Sequence, residues 1–266
     1  MNKKDVSGLL ERVRTQKPLV HQITNWVTIG DCASVTRAFG ALPVMAHARE
    51  ESADMATIAS ALVLNIGTLT PGLVEAMIHA AGRANERKIP VVLDAVGVGA
   101  TPLRNDSAFR LLDTVRIDIV KGNISEVARL AGEDVLTRGV EATDVALHSG
   151  EVAKKLAAGR NNTVVITGAA DTVSDGTRVY QVKNGHELMS AVVGTGCMAA
   201  SVIGAFAAVE SDYTTAAAAA VSAYGVAGEL AAAGSEGPGS FKVRLFDEAY
   251  RLDPQTVERM ARIDEI

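Results

Sequence analysis

Cysteine, basic charge and long apolar runs are all scarce in this sequence of 266 residues. The two cysteines, Cys32 and Cys197, match neither the spacing of a zinc site nor a disulfide framework, which favours a reducing, cytoplasmic setting. The 31 acidic residues outnumber the 26 lysines and arginines, and the formal charge of −5 argues against binding to nucleic acid or anionic membranes. The longest apolar stretches, 198–209 and 216–221, fall short of the roughly 18 residues that span a bilayer. The first 18 residues lack the continuous apolar segment of a secretory signal, so we expect a soluble protein.

The composition that is present favours a packed globular fold. Hydrophobic residues make up 48% of the chain and charged residues 21%, which excludes the low hydrophobicity and high charge of disordered proteins. A prior of about 150 residues per domain allows one or two domains, but α/β folds of about 250 residues often form one unit. Because no internal repeat or linker-like stretch divides the sequence, we predict a single domain over 1–266.

Short apolar runs alternate with helical patterns through the middle of the chain. The predicted strands are 62–64, 91–93, 117–120 and 164–166, and the predicted helices are 71–87, 105–114, 125–131 and 146–158. Near-continuous apolar strands separated by helices are typical of a parallel sheet that helices cover on both faces. Ligands bind at the carboxyl ends of such strands, where this sequence places polar and glycine residues.

The pattern changes in the last third of the chain. Segment 171–182 predicts a hairpin with a Ser-Asp-Gly-Thr turn. Helices rich in small residues follow over 197–209 and 214–233; they favour tight packing in the middle of the fold, with a close helix interface as the alternative. A loop rich in glycine and proline ends at Ser240, which we expect to cap the next helix.

The most informative motif is Gly194-Thr195-Gly196-Cys197, which leads directly into an apolar helix. Its glycines let the backbone approach a ligand closely, and a helix start presents free N–H groups and the positive end of the helix dipole. The motif therefore favours a phosphate site. We expect a thiol in this position to have a lowered pKa, which makes Cys197 a candidate general base. The alternative is a tight turn followed by a small buried side chain.

Two acidic residues follow neighbouring predicted strands. Asp94 precedes a loop with two glycines, and Glu126 lies in the segment Asn-Ile-Ser-Glu after the next strand. Carboxylates in these places suit magnesium that is bound through water to a phosphate, although turn-forming or helix-capping acids would look the same. The dinucleotide-binding fingerprint is incomplete because Pro102 replaces its third glycine, which argues against a Rossmann NAD site. The GxxxxGK[ST] motif is absent, which excludes a P-loop kinase.

Other strand-end residues are candidates to contact a nucleotide or a heterocycle. Lys121 ends an apolar strand and either holds a phosphate or packs its stem with its ammonium in water. Thr167 and Asp171 are candidates to contact a nucleotide, with turn formation as the alternative. Met45 is a candidate wall for a flat ring whose polar edge Asn25 would fix, although Met45 taken alone is better interpreted as a core residue.

A series of short motifs follows in order along the chain: His21 to Asn25, Pro43-Val44-Met45-Ala46, Leu64-Asn65-Ile66-Gly67-Thr68-Leu69, Asp94 to Thr101, Lys121-Gly122-Asn123-Ile124-Ser125-Glu126, Thr167-Gly168 with Asp171, Gly194-Thr195-Gly196-Cys197 and Gly237-Pro238-Gly239-Ser240-Phe241. Together they closely resemble the hydroxyethylthiazole kinase family. The resemblance covers nearly the whole chain, and the order of the motifs is more specific than any one of them.

The resemblance implies a three-layer, ribokinase-like α/β fold with a central, mostly parallel sheet covered by helices on both faces. It also implies a homotrimer with sites near the subunit interfaces. The implied reaction is phosphorylation of the hydroxyl group of 4-methyl-5-(2-hydroxyethyl)thiazole with Mg-ATP, in thiamine salvage. The implied residue roles are thiazole binding by Asn25, Met45, Gly67 and Gly194, contact with ATP by Lys121 and Thr167, organisation of magnesium and phosphate by Asp94 and Glu126, and handling of the hydroxyl proton by Cys197.

The sequence departs from the family pattern at a few positions. Ala95 stands where the family usually has a proline after the aspartate, and Val193 stands where a threonine commonly precedes the Gly-Thr-Gly-Cys motif. Gly30 and Ser34 occupy places where the resemblance leads us to expect asparagines. Because these departures leave the phosphate motifs intact, the reaction type is better supported than the identity of the acceptor.

Two other functions are consistent with parts of the pattern. One is an ATP- or ADP-dependent dehydratase that repairs hydrated nicotinamide cofactors on the same fold; it would favour an aspartate in place of Cys197. The other is a thiazole or nucleotide sensor without catalysis, which the presence of Asp94, Glu126 and Cys197 argues against. A fold alone does not separate these functions.

Overall fold

The computed structural model describes residues 3–133 and 142–266. Within this part of the chain, one sheet contains the strands β1 (Leu19–Ile23), β2 (Leu42–Val44), β3 (Ala61–Asn65), β4 (Val91–Asp94), β5 (Ile119–Asn123), β6 (Thr163–Thr167), β7 (Asp171–Ser174), β8 (Val179–Val182) and β9 (Ile263–Glu265). The helices are α1 (Lys3–Gln16), α2 (Ile29–Ala38), α3 (Arg49–Ile58), α4 (Pro71–Arg87), α5 (Pro102–Thr114), α6 (Ile124–Leu130), α7 (Ala142–Arg160), α8 (Leu188–Ala191), α9 (Thr195–Ala207), α10 (Tyr213–Ala232), α11 (Pro238–Arg251) and α12 (Pro254–Met260).

The sheet is parallel on one side and antiparallel on the other. Its strand order is β2-β1-β3-β4-β5-β6-β7-β8-β9. The pairs from β2 to β6 are parallel, and the pairs from β6 to β9 are antiparallel. The predicted hairpin is β7 and β8, which confirms the change of pattern in the last third of the chain. The sheet also contains β1, β2 and β9, three strands that the apolar runs did not predict.

Two hydrophobic clusters cover the two faces of the sheet. On β3, Leu62 and Leu64 pack with the helices α3 to α7, whereas Ala61 and Val63 pack with α1, α2 and α9 to α12. The alternation arises because successive side chains of a strand point to opposite faces. The predicted parallel sheet with helices on both faces is therefore confirmed as a three-layer α/β architecture.

The small residues of α9 and α10 serve close packing in the fold, as predicted. Most residues of both helices are buried. A Cβ on Gly204 would lie 2.4 Å from Val63 Cγ2, so only a glycine lets α9 rest this closely on β3. This contact brings the start of α9 over the carboxyl ends of the central strands. None of the helices that the structure describes combines the length and apolar composition needed to cross a bilayer.

Several helices begin at side-chain caps, but one predicted cap is wrong. Thr70 and Thr101 each accept a hydrogen bond from the third backbone N–H of the following helix, and prolines occupy the first helical positions of α4 and α5. Ser240 is not the N-cap of α11, because the helix already begins at Pro238. The Ser240 hydroxyl instead accepts from the N–H of Gly237 at 3.2 Å, from inside the first turn.

Candidate active site

Four buried polar residues meet at the carboxyl ends of β1, β3, β4 and β5. Asn65 and Asp94 end their strands and pair in register, and Asp94 pairs in turn with Lys121 on β5. Asn25 lies two residues after β1. Their exposed fractions lie between 0% and 4%. The adjacent order of these parallel strands brings together residues that are distant in sequence, at the edge where such sheets bind ligands.

Cys197 joins these residues from the first turn of α9, which packs on β1, β3 and β4. Asn25 Nδ2 donates to Cys197 Sγ at 3.3 Å and to Asn65 Oδ1 at 3.0 Å. Asn65 Nδ2 donates to Asp94 Oδ2 at 2.6 Å, and Lys121 Nζ donates to Asp94 Oδ1 at 3.0 Å. We call these five hydrogen-bonded side chains the strand-end cluster.

Asp94 and Lys121 form a buried ion pair within the strand-end cluster. Burial raises the pKa of Asp94 to about 6, although the charge and the hydrogen bond of Lys121 act to lower it. Burial acts to lower the pKa of Lys121, but the charge of Asp94 and its hydrogen bond outweigh burial and raise that pKa. Both groups are therefore charged at neutral pH. Removal of either partner would leave an uncompensated charge in the protein interior.

The ammonium of Lys121 lies inside the protein rather than in water, so the alternative of a solvated head group is wrong. A Cβ built on Gly196 would lie 3.1 Å from Lys121 Nζ. The ammonium is thus directly against the turn that the sequence marks as a phosphate site. The Lys121 ammonium already forms an ion pair with Asp94, which the sequence does not reveal.

The predicted lowering of the Cys197 pKa is also wrong. Burial is the largest effect and raises the pKa of the thiol, and the negative charge of Asp94 adds to the increase. The positive charge of Lys121 opposes this rise without cancelling it. The motif correctly predicts a helix start, but it does not reveal that the sulfur is partly buried and lies near Asp94. The Cys197 thiol is therefore protonated at neutral pH, and its sulfur accepts the hydrogen bond of Asn25.

Two glycines predicted to bind substrate lie tightly against the Asn25 loop. A Cβ on Gly67 would lie 2.9 Å from Asn65 Oδ1 and 3.0 Å from Asn25 Cβ. Gly194 has a φ of +93°, and a Cβ there would lie 2.3 Å from Thr28 Cγ2. Both positions require glycine because the loops after β1 and β3 and the start of α9 approach one another without room for a side chain.

Met45 lies apart from the strand-end cluster. It follows β2, the edge strand, and packs partly buried against the hydrophobic cluster that includes α2 and α9. Its neighbour Ala46 accepts a hydrogen bond from the buried His21 ring, with 2.8 Å between the carbonyl oxygen and Nε2. The structure therefore places Met45 at the same end of the sheet as Asn25, but not in the hydrogen-bonded cluster.

Glu126 organises two loops at the site. Its Oε1 accepts from Gly97 N and its Oε2 from Asn123 N, both at 2.7 Å, while Asn123 Oδ1 accepts from Glu126 N at 2.9 Å. Asn123 and Glu126 thus form the capping box of α6, so the capping alternative is confirmed. Gly97 belongs to the loop after Asp94, and this contact ties the two acidic segments together.

The carboxylates of Asp94 and Glu126 could hold a magnesium ion through water, but they do not form a closed set of direct ligands. Among the side chains that the structure describes, no three from His, Cys, Asp or Glu converge into a metal cage. Each carboxylate oxygen already accepts one hydrogen bond from the protein. Magnesium commonly keeps several waters and is held by one or two carboxylates plus substrate phosphates. The donor set therefore fits an ion held mainly through water and phosphate.

A cavity of about 590 Å³ lies beside the strand-end cluster, on the β6 side of α9. Its lining includes Thr167 at the end of β6, Asp171, Thr195, Gly196 and Tyr224. The volume is typical of sites for small molecules and cofactors. Asp171 Oδ1 accepts from the Gly168 N–H at 3.0 Å, and burial raises the pKa of Asp171 to about 7.

The sequence gives no role to Arg104 and marks Asn65 only as a polar strand end, yet both are central to the site. Arg104 Nη1 donates to the carbonyls of Ile66 and Val96 at 2.8 Å, and Nη2 donates to that of Gly67 at 2.7 Å. It therefore joins the loop after β3 to the loop after β4. No local pattern reveals such contacts with carbonyls, whereas Asn65 was recognisable as a polar strand end between Asn25 and Asp94.

Three of the departures from the family pattern lie where the structure explains their tolerance. Gly30 and Ser34 are on the exposed side of α2, where the Ser34 hydroxyl donates to the Gly30 carbonyl at 2.8 Å. Ala95 N donates to the Lys121 carbonyl at 2.9 Å, a hydrogen bond that proline cannot make. The ends of β4 and β5 thus gain a backbone contact beside the buried ion pair.

Comparison with known proteins gives a consistent family match. A model of the hydroxyethylthiazole kinase family matches residues 10–255. The hydroxyethylthiazole kinase of Methanosarcina mazei is 58% identical over 257 residues, which cover 97% of this chain and 98% of the relative. That of Thermoanaerobacter pseudethanolicus is 51% identical over 258 residues, with coverage of 96% and 98%.

Solved structures match the fold as well. The structure of a hydroxyethylthiazole kinase protein from Pyrococcus horikoshii superimposes with a TM-score of 0.91 at 40% identity and covers 98% of both chains. A ribokinase-like superfamily protein from Enterococcus faecalis gives a TM-score of 0.63 at 14% identity, with 96% of both chains covered. The second likeness concerns the fold alone, and it confirms the predicted ribokinase-like architecture.

Proposed function

This chain belongs to the hydroxyethylthiazole kinase family, and from that premise we propose that it transfers the γ-phosphoryl group of ATP to the hydroxyl of 4-methyl-5-(2-hydroxyethyl)thiazole. The observation that carries the proposal is the first turn of α9. Its residues Thr195 and Gly196 line the cavity, while the next residue, Cys197, belongs to the strand-end cluster. One helix start therefore lies between a nucleotide-sized cavity and a buried polar cluster.

The cavity is the proposed nucleotide site. Thr167 lies on its wall at the end of β6, and the N–H groups at the start of α9 have no carbonyl partners within the helix. Free N–H groups at a helix start attract phosphate. The Lys121 ammonium beneath the turn adds positive charge there, tempered by Asp94. In phosphoryl transfer, positioning and neutralisation of charge supply most of the catalysis.

The acceptor would lie on the other side of Cys197, near Asn25, Gly67 and Gly194, with Met45 at the outer edge. The attacking hydroxyl oxygen forms a bond to the γ-phosphorus, and the bond from that phosphorus to the β–γ bridging oxygen breaks, releasing ADP. The hydroxyl proton goes to the thiolate form of Cys197. Because the pKa of Cys197 is raised, the rate should increase with pH through the neutral range.

Asp94 and Glu126 would hold magnesium through water at the edge of the strand-end cluster. A bound divalent ion neutralises part of the charge of the phosphates. The contribution of the chain itself is to fix both carboxylates: Lys121 and Asn65 hold Asp94, and two backbone N–H groups hold Glu126.

We also propose that a single domain spans the chain and that three copies form a trimer with sites near their interfaces. Exposed apolar side chains beside the site support this assembly: Trp26 follows Asn25, Val27 follows Trp26, and Val193 precedes Gly194. Contiguous exposed apolar groups commonly mark contact surfaces. A light-scattering mass three times that of the chain would support the trimer, and a monomer mass would reject it.

We also propose a cytoplasmic setting, which the absence of a pairing motif for the two cysteines supports.

The function is tested by incubating the purified protein with Mg-ATP and the thiazole alcohol, with mass spectrometry of the product. We expect the thiazole phosphate to accumulate with ADP, and to disappear when EDTA is present. Thiazole binding without product would favour the sensor. ATP hydrolysis that depends on hydrated NADH, with no thiazole phosphate, would favour the dehydratase.

A further inference from the structure

Asn65 is a member of the strand-end cluster whose role so far is only to hold Asp94. It is buried, with an exposed fraction of 1%, between Asn25 and Asp94. Its Oδ1 accepts from Asn25 Nδ2 at 3.0 Å and from Gly67 N at 2.9 Å, and its Nδ2 donates to Asp94 Oδ2 at 2.6 Å.

The partners of Asn65 determine which way its amide points. The Gly67 N–H is only a donor, so it requires the carbonyl oxygen of the Asn65 amide. The ionised carboxylate of Asp94 is only an acceptor, so it requires the NH₂ group. An inverted amide would face both partners with the wrong atom. Gly67 and Asp94, and not Asn25, therefore determine that Asn65 presents its Oδ1 to Asn25.

The orientation of Asn65 determines that of Asn25 in turn. Asn25 Oδ1 accepts from Val27 N and Thr28 N, both at 3.1 Å, and from Thr28 Oγ1 at 3.0 Å. The NH₂ group of Asn25 is left for Asn65 Oδ1 and Cys197 Sγ. One of its hydrogens points to each, so the sulfur receives a hydrogen bond from a fixed donor.

We propose that Asn65 is a positioning residue that holds the Asn25 amide so that it donates to Cys197 Sγ and keeps that sulfur ready to accept a proton. A donor directed at sulfur stabilises the thiolate relative to the thiol. The consequence for catalysis rests on the proposed kinase function, whereas the consequence for thiol chemistry does not. Asn65 would thus affect phosphoryl transfer without contacting either substrate.

The primary test measures the rate at which iodoacetamide alkylates Cys197 between pH 6 and 10, by mass spectrometry of the Cys197 peptide. Cys32 is fully buried, so its alkylation serves as an internal reference for unfolding of the same protein. In Asn65→Leu, which is similar in volume but has no polar atoms, we expect the alkylation curve to move to higher pH by about one unit. That shift corresponds to roughly tenfold slower alkylation at neutral pH.

A double-mutant cycle separates positioning from a purely structural role. If Asn65 acts through Asn25, Asn25→Ala should shift the alkylation curve as far as Asn65→Leu, and the double variant should shift it no further. Thr163→Val is the matched control, because it removes a buried side-chain hydrogen bond at the opposite end of the sheet. It should leave the curve unchanged.

Kinase assays supply the second readout. Asn65→Leu should lower kcat about tenfold while KM for ATP stays within a factor of two. If Asn65→Leu does not fold, Asn65→Ser takes its place, because a serine side chain is too short to bridge Asn25 and Asp94. Superimposable alkylation curves for the wild type and a folded Asn65 variant, or additive shifts in the cycle, would overturn the proposal. Absence of kinase activity in the wild type would instead reject the proposed function and leave the alkylation result decisive for Asn65.

Discussion

Buried polar groups are present at both ends of the parallel strands, but they have different kinds of partner. At the amino ends, Asp118 Oδ2 accepts from Val91 N at 2.9 Å, and the hydroxyls of Thr163 and Thr214 pair at 3.0 Å. These groups satisfy a backbone donor or one neighbour. At the carboxyl ends, the side chains of the strand-end cluster bond mainly to one another, across four strands and to α9.

The difference shows how similar residue types acquire different uses. Asp118 and Asp94 are both buried aspartates next to a cation, and burial raises the pKa of both. Asp118 pairs with Arg116, whose side chain is 51% exposed, whereas Lys121 is buried with Asp94. A change at the amino end should therefore act locally on stability. A change at the carboxyl end should alter the orientation and charge of every group connected to it.

The largest effect is expected when the buried pair of Asp94 and Lys121 is broken, in contrast to the half-exposed pair of Asp118 and Arg116. Lys121→Met leaves the Asp94 charge buried and unpaired, which should cost about 3–5 kcal/mol of unfolding free energy and abolish measurable transfer. Arg116→Met removes a half-exposed partner and should cost less than about 1 kcal/mol. Chemical denaturation at pH 7 measures both. Equal losses in the two variants would remove the distinction between the ends of the sheet.

The same variant has a pH signature with a defined sign. The pKa of Asp94 is about 6 in the folded protein, above its ordinary value of about 3.9. The folded state therefore binds more protons, so the Asp94 contribution to stability falls as pH rises between about 4 and 6. Without Lys121 the folded pKa should increase further, and the fall should extend above pH 6. Denaturation midpoints of Lys121→Met measured at pH 5 and 8 would show the lower value at pH 8.

The next largest effect is a loss of kcat that we expect for a change at Cys197 but not for one at Cys32. Cys197→Ala should reduce kcat about 10²–10⁴-fold, the range for loss of a positioned base, and leave ATP affinity nearly intact. Cys32→Ala removes a fully buried side chain below the site and should change stability but not kcat. Steady-state kinetics and nucleotide titration compare them. A Cys197→Ala enzyme with normal turnover would show that the base is another group.

A smaller effect is expected at Arg104, which holds the two site loops through three carbonyls. Arg104→Ala should release the loops that carry Gly67 and Gly97 and lower kcat/KM for the thiazole about 10- to 100-fold, since small misplacements of reacting groups are costly. Arg83→Ala is the control, because Arg83 makes exposed contacts on α4. If both variants retain full activity, the position of the loops does not depend on the three Arg104 hydrogen bonds.

Much of the fold and the chemical types at the site could be predicted from the sequence. The apolar runs predict β3 to β6, and their polar ends correctly indicate the edge that carries Asp94 and Lys121. The glycines of the α9 motif correctly predict a close backbone approach at a helix start. These features are local, so the pattern of neighbouring residues contains them.

The properties that were missed depend on contacts between distant segments. The pKa of Cys197 increases because α9 buries the sulfur near Asp94, and no spacing reveals that depth. Lys121 pairs with Asp94 because β4 and β5 are neighbours, which strand order alone determines. β1 was missed because it contains the polar residues His21 and Gln22, and β2 because it has only three residues, one of them Pro43. Arg104 was missed because its partners are backbone carbonyls.

The most direct test of the account compares Asp94→Asn with Asp118→Asn, two isosteric changes at opposite ends of the sheet. The measurement is kcat for thiazole phosphorylation, at a temperature where circular dichroism shows both variants fully folded. We predict that Asp94→Asn lowers kcat at least about 100-fold because it breaks the buried pair and the proposed magnesium contact, while Asp118→Asn stays within a factor of two of the wild type. A folded Asp94→Asn enzyme that is as active as Asp118→Asn would contradict the claim that the strand-end cluster carries the chemistry.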